Sequence, residues 1–283
     1  MSTRRGLLQA ALAAATAPAL LLGREARAAA SAADFAAAAA KQPLLTPLRG
    51  VDDTTGDRDA EAQLTGRWPA ALRGRFYRNG PALLQRGGQR YHHWFDGDGM
   101  VQQFRIGDGR VVHRGRLVRT VKLRQEQAAG RFVVNALGTS FPGQPPAGGP
   151  DSFNPANTSA LEHAGRVLAM WEGGSAYGLN PEDLSTQGPV TWRPELAQVP
   201  FSAHPKLDAQ GHLWNIGSVG QQIVTWHVGP DGRLVRAAPP PQLPLPPLPA
   251  RRNPGSAAPS PSTPARSESA RARKRDCRMH RMR

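Results

Sequence analysis

Between residues 64 and 236 the chain repeats one device: a short alternating or apolar run, a glycine-containing turn, and a second short run that returns. Residues 100–106 turn at Gly107-Asp108-Gly109 into residues 110–121. Residues 160–168 pivot on Ala164-Gly165, and residues 167–171 are apolar enough for an inner strand. Residues 206–216 pivot on Gln210-Gly211, and residues 222–235 on Pro230-Asp231-Gly232. Alternation with a period of two, broken by turn residues, predicts β-hairpins. No stretch of helical periodicity interrupts them and no parallel crossover is apparent. The predicted fold class is therefore all-β and antiparallel, a sandwich or a propeller. Spacing is too irregular for a named short repeat. Two stretches read as connections. Residues 138–157 carry five prolines and four glycines, enough to form a long loop that lines a pocket. Residues 179–198 carry turn signals at Asn180-Pro181-Glu182 and Arg193-Pro194.

The two ends have a different character. Thr3-Arg4-Arg5-Gly6-Leu7-Leu8 sets paired arginines before an Ala/Leu-rich run, and Ala26-Arg27-Ala28 offers small residues at the cleavage-specifying positions. The run ending at Leu22 is too short and too weakly apolar for a stable span. Residues 1–28 are expected to be a twin-arginine signal that exports a folded protein to the periplasm, with an ordinary secretory signal or an alanine-rich N-terminal helix as the other readings. Residues 29–63 form an N-terminal extension or linker, in which Asp34-Phe35 and five following alanines suggest a short helix.

The net charge of +15 would ordinarily suggest a nucleic-acid partner. Its distribution argues against a specific one. Residues 1–28 hold four arginines against Glu25, and residues 237–283 hold ten Lys or Arg against Glu268 and Asp276. The domain between them keeps only a small share, ordinary for a soluble protein. The one cysteine, Cys277, lies in the basic tail, so a disulfide framework and a cysteine metal site are excluded. Any metal must be held by histidine or carboxylate.

Several motifs could carry chemistry. Arg75-Phe76-Tyr77-Arg78-Asn79-Gly80-Pro81 reads as a strand ending in an Asn-Gly turn, a structural element. Tyr91-His92-His93-Trp94-Phe95-Asp96-Gly97-Asp98-Gly99-Met100 is the densest stretch of the chain. Adjacent histidines on a strand point to opposite faces, so His92 and His93 do not make a metal pair. Asp96 and Asp98 fall short of a calcium ligand set, and Gly97 and Gly99 read as a tight bend. Glu172 ends an apolar strand in Ala169-Met170-Trp171-Glu172-Gly173-Gly174, where a carboxylate is either solvated or buried with a hydrogen-bond partner. His204, between Ala203 and Pro205, is by spacing alone a packing or surface histidine. No phosphate loop, nucleophile elbow or Cys/His cluster is present.

Taken in order, these stretches resemble the carotenoid cleavage oxygenases, the family of the retinal-pigment-epithelium isomerase and the stilbene-cleaving dioxygenases. The resemblance rests on Gly74 to Pro81, on Trp94-Phe95-Asp96-Gly97-Asp98-Gly99-Met100, and on Arg119-Thr120 with Lys122. Asn157-Thr158, the run through Glu172, and Ala203-His204-Pro205-Lys206-Leu207-Asp208 complete it. It implies a seven-bladed β-propeller with ferrous iron on its axis, held by four histidines without a coordinating carboxylate. His204 matches the first iron ligand. Glu172 matches a glutamate that hydrogen-bonds a ligand histidine, orienting its ring and raising its basicity. The implied reaction adds O₂ across an apolar conjugated alkene and yields two carbonyl products. The alkene would enter through an apolar tunnel walled by residues 138–157 and Trp171, after peripheral contact with a membrane.

After Arg236 the pattern breaks. Pro239-Pro240-Pro241-Gln242-Leu243-Pro244-Leu245-Pro246-Pro247-Leu248-Pro249 leads into a Ser/Pro/Arg-rich stretch with no core-forming pattern. The three further ligand histidines that the resemblance requires are not supplied there, because His280 is the only histidine of that stretch. The expectation is a partial propeller over residues 64–236 with a disordered tail over 237–283, arising from a frameshift in a GC-rich gene. Reading codons 237–250 in the other frames for histidine followed by Asp-Phe tests this. Such a chain would be an inactive copy of the dioxygenase. The rival expectation is a non-catalytic β-fragment whose basic tail binds anionic surfaces or nucleic acid, non-specifically and with steep salt dependence.

Overall fold

A computed structural model describes residues 27–28, 30–66, 69, 71–144 and 148–239. The signal reading for residues 1–28 and the tail reading for residues 237–283 lie outside these, apart from residues 27–28 and 237–239.

The described residues open with β1 (Arg27–Ala28), β2 (Ala30–Ser31), helix α1 (Ala32–Lys41) and β3 (Arg58–Glu61). Next come β4 (Gly74–Leu83), β5 (Gln85–Arg86), β6 (Gln89–Arg90), β7 (Asp98–Gly107), β8 (Arg110–Leu117) and helix α2 (Val121–Ala129). Beyond β9 (Thr139–Ser140) lie β10 (Ser159–His163), β11 (Arg166–Met170), β12 (Tyr177–Leu179) and β13 (Thr186–Pro189). The last four are β14 (Lys206–Leu207), β15 (Leu213–Val219), β16 (Gln222–Val228) and β17 (Leu234–Ala238). Among the described residues three sheets have four strands each, in the orders β3-β8-β7-β4, β10-β11-β12-β13 and β14-β15-β16-β17. All pairings within them are antiparallel, and the second and third sheets are simple meanders.

The sheets stack face to face like blades, and β11 shows why its sequence is continuously apolar. Val167 and Ala169 pack with Val101, Val118, Tyr177 and Leu179 toward the first sheet. Leu168 and Met170 pack with Leu213, Val224, Trp226 and Val228 of the third. All four β11 residues are buried, so both faces of the strand are covered and alternation disappears. Hairpins at Asp108-Gly109 and Ala164-Gly165 have positive φ at both central residues, the turn whose twist matches the flanking strands.

Polar side chains also join the sheets. Tyr77 Oη donates to Glu162 Oε2 at 2.7 Å, and Gln103 Nε2 to the Pro181 carbonyl at 2.6 Å. Asn79 Nδ2 reaches the carbonyls of Ala156 and Ser159 at 2.8 and 3.0 Å. This corrects the reading of Asn79-Gly80-Pro81 as a turn. All three lie within the ten-residue strand β4, and Pro81 is tolerated because β4 is an edge strand with a register shift between Pro81 and Leu83. Gly99 likewise lies inside β7, not in a tight bend: a Cβ there would collide with the Ala156 carbonyl.

Two further corrections concern periodicity. Residues 110–121 are not one strand, because β8 ends at Leu117 and helix α2 begins at Val121. Thr120 caps α2 by accepting from the Leu123 amide at 3.0 Å, and Gly130 ends it at φ 64°. Its buried face is Lys122, Leu123 and Glu126, charged on either side of one leucine, so no apolar stripe announces it. Strand β13 lies inside the stretch read as a loop.

Lys122 sits at the centre of a buried ionic cluster. Its Nζ donates to Asp98 Oδ1 at 2.7 Å and to Glu126 Oε2 at 3.1 Å, with all three side chains fully buried. Arg86 bridges Glu126 and Asp53, and Tyr91 Oη and the amides of Val133 and Val134 also donate to Glu126. Burial alone would push the Lys122 ammonium down, but the carboxylates of Asp98 and Glu126 outweigh it and hold the lysine protonated.

Candidate functional site

His204 follows a segment held from four directions. The Phe201 amide donates to the Gly174 carbonyl at 2.9 Å, and the Phe201 carbonyl accepts from Asn215 Nδ2 at 2.6 Å. Trp226 Nε1 donates to the Pro200 carbonyl at 3.2 Å, and Ser159 Oγ donates to the Ala203 carbonyl. Phe201 and Ala203 are buried. Strand β15 comes this close because residue 217 is glycine: a Cβ there would collide with the Pro200 carbonyl. The second and third sheets thus clamp the backbone on both sides of Ser202, two residues before the histidine.

From that clamp the side chain reaches into the open. His204 Nε2 lies 2.8 Å from Glu172 Oε1, with the two side chains 66% and 52% exposed. Ser202 Oγ donates to Glu172 Oε2 at 2.6 Å, so each carboxylate oxygen has a partner. Ser202 does this from φ 73°, a left-handed conformation that costs a non-glycine residue about 1 kcal/mol or more. Of the two readings left open for Glu172, the structure has the solvated one: the carboxylate is half exposed, not buried, while it meets Ser202 and His204. The backbone strain at Ser202, and the clamp from Asn215 and Gly217, carry no signal in the sequence.

The long loop lies against the Glu172 turn. Asp151 accepts from the Ser175 amide at 2.8 Å and the Ser175 hydroxyl at 2.7 Å, and Asn154 Nδ2 donates to the Ser175 carbonyl at 2.9 Å. Phe153 packs edge-on against Trp171, with ring centroids 5.3 Å apart. Residues 151–154 and Trp171 therefore border the His204–Glu172 pair's own loop.

Other histidines are elsewhere. His93 Nδ1 accepts from the Phe95 amide at 3.2 Å, capping a single helical turn over Trp94–Asp96. His163 Nε2 meets the Gly211 carbonyl at 3.0 Å, and His113 Nε2 meets Gln102 at 2.8 Å. His227 Nε2 and His212 Nδ1 pair with each other at 2.9 Å. Asp96 and Asp98 are not free ligands either, being bound to Thr139 and Gly138 and to Lys122 respectively. Among the described residues no group of three or more His, Cys, Asp or Glu is placed to hold a metal. The described residues therefore do not fit a four-histidine iron: they offer one imidazole, with its Nε2 turned to a carboxylate.

The chain is 40% identical over 170 residues to an apocarotenoid-15,15'-oxygenase of Synechocystis sp., covering 57% of this chain and 34% of that protein. It is 33% identical over 162 residues to an isoeugenol monooxygenase of Pseudomonas putida, covering 57% and 34%. With a lignostilbene-alpha,beta-dioxygenase isozyme III of Sphingomonas paucimobilis it shares 30% over 198 residues, 68% and 39%. The chain thus spans little more than a third of the length of the curated relatives it matches. Among solved structures, the lignostilbene dioxygenase of Pseudomonas brassicacearum superposes with a TM-score of 0.57 at 29% identity, over 64% of this chain and 39% of that one. Cobalt-substituted apocarotenoid oxygenase of Synechocystis superposes at 0.55 and 32%, over 64% and 41%. These neighbours are β-propellers, and the three stacked sheets are part of one. A family described as "Retinal pigment epithelial membrane protein" matches residues 51–251, reaching beyond residues 64–236 at both ends. With well over half of its length inside that match, the chain belongs to this family, the carotenoid cleavage oxygenases.

Proposed function

We propose that the chain derives from a non-haem iron dioxygenase that cleaves a conjugated C=C bond of a carotenoid, apocarotenoid or stilbene into two carbonyl products. The observation that carries this reading is the His204–Glu172 pair, standing at 2.8 Å on a backbone clamped between two propeller sheets. In this reading His204 supplies one ligand to ferrous iron, and Glu172 orients a ligand imidazole. The chain's own residues contribute position, the clamped backbone fixing His204 and the Ser202 hydroxyl fixing Glu172. Trp171 and residues 151–154 would form one wall of an apolar passage for the alkene, taken up through peripheral contact with a membrane. Export to the periplasm through the arginine pair at residues 4–5 belongs to the same proposal.

Because the described residues bring a single imidazole to this point, we further propose that the chain as written does not turn over substrate. Metal analysis of the purified full chain, as isolated and after anaerobic loading with ferrous iron, tests both statements. Stoichiometric iron that is lost in His204→Ala, with carbonyl products from an apocarotenal or a hydroxystilbene, would establish an active enzyme and sink the proposal of inactivity. No iron, together with salt-sensitive DNA binding that disappears on deleting residues 251–283, would favour the non-catalytic fragment with a basic tail.

A further inference from the structure

On the third sheet two histidines turn their rings to each other. His227 Nε2 and His212 Nδ1 lie 2.9 Å apart, with ring centroids 4.9 Å apart and both residues half-buried. His227 stands in β16 directly opposite Trp214 of β15, and His212 lies just before β15.

Both rings are held from several sides. Trp214 stacks on the His227 ring, with centroids 3.8 Å apart and planes 9° from parallel. The indole is fixed in turn by Asp208, whose Oδ2 accepts from Trp214 Nε1 at 2.9 Å. Asp208 Oδ1 accepts from the His212 amide at 2.9 Å, and the Asp208 amide donates to the His212 carbonyl at 3.0 Å. From the second sheet, His163 Nε2 meets the neighbouring Gly211 carbonyl at 3.0 Å. None of these contacts occupies the two facing nitrogens. Metal sites need ligands held by supports that use other atoms, and this pair has them. Its surroundings also favour a cation: the Trp214 N–H holds the Asp208 carboxyl below its usual pKa, so an anion stands beside His212. Lys206 and Arg236 pair with Trp214 and His227 in the sheet, but both are exposed and screened by solvent.

We propose that His212 and His227 bind a divalent copper or nickel ion, at a site that does not use His204. Each neutral imidazole carries one proton, so one nitrogen of this pair donates to the other. If one ring changes tautomer, with protons on His212 Nε2 and His227 Nδ1, two lone pairs face each other and a cation bridges them. That change moves a proton within one ring and releases none. At about 2.0 Å from each nitrogen, an ion would see the two about a right angle apart. Tetragonal Cu(II) and Ni(II) take that angle, whereas tetrahedral zinc asks for a wider one. Solvent reaches the half-buried rings and supplies the remaining ligands.

Cu²⁺ titrated into the ¹⁵N-labelled full chain tests this, in a Cys277→Ser background that removes the one thiol. The ion's unpaired electron should broaden one indole N–H signal before the others, the one absent from Trp214→Phe. His212→Gln and His227→Gln should each raise the copper concentration needed about tenfold or more. Glutamine keeps a group that can hydrogen-bond the remaining ring, and the urea midpoint of each variant shows that it is folded. His204→Ala should leave the broadening unchanged, and an equal concentration of Zn²⁺ should not reverse it. A Trp214 signal that broadens no earlier than the other indoles overturns the proposal. So does an equal copper response in the parent and both histidine variants, or its loss in His204→Ala. Reversal by equimolar zinc overturns the choice of metal.

Discussion

Ser202 holds φ 73° while bonding Glu172, so two effects at one residue oppose each other. Replacement by glycine loses the hydroxyl and relieves the strain; replacement by alanine loses the hydroxyl and keeps it. Ser202→Gly is expected to be more stable than Ser202→Ala by about 1 kcal/mol in urea unfolding. Equal midpoints would show that the left-handed conformation carries no strain. Asp52 offers a test of charge. Amides and hydroxyls of Thr54 and Thr55 all donate to its Oδ1, the side-chain hydroxyl of Thr54 foremost, and lower its pKa from 3.8 to about 2. A carboxyl lowered on folding contributes stability that is present above its unfolded value and lost as pH falls through the folded one. The thermal midpoint of Asp52→Asn should therefore change less than the parent's between pH 3.8 and about 2. Parallel curves would exclude the assignment.

Among the elements, α2 depends most on charge. Lys122→Met removes the cation between two fully buried carboxylates and should cost about 3–5 kcal/mol, read as a lower urea midpoint. Adding Glu126→Gln should recover part of that loss by removing one stranded anion. An unchanged midpoint for the single variant would mean that water, not Lys122, compensates Asp98. The same helix marks a boundary of what the sequence reveals. Hairpins around Asp108-Gly109 and Ala164-Gly165 were legible because turn residues and alternating strands report local geometry. The all-buried run in β11 was legible because both its faces are apolar. Helix α2 was not, since its buried face is Lys122 and Glu126, and ionic cores leave no hydrophobic period. Strand β4 was misread at Asn79-Gly80 for a related reason: Asn79 serves carbonyls of a neighbouring sheet, a demand set by tertiary packing. At the site, His204 and Glu172 were identifiable by resemblance alone, and Ser202 not at all.

At the scale of the whole molecule, the second sheet has two covered faces and the third does not. The third sheet presents Trp214, Ile216 and Ile223 on one side, all exposed, with Ile223 opposite Ser218 and Ile216 opposite Thr225. Ile216→Lys with Ile223→Lys should alter stability by no more than about 0.5 kcal/mol and reduce concentration-dependent association in size-exclusion chromatography. A large loss of stability would show instead that this face is packed in solution. The clamping of β11 between its neighbours has a kinetic consequence as well. Its amide hydrogens have no local route to solvent and should exchange with deuterium only when the whole stack opens. Amides of β16 and β17 should exchange through the opening of the third sheet alone, so that one protein yields two distinct protection plateaus.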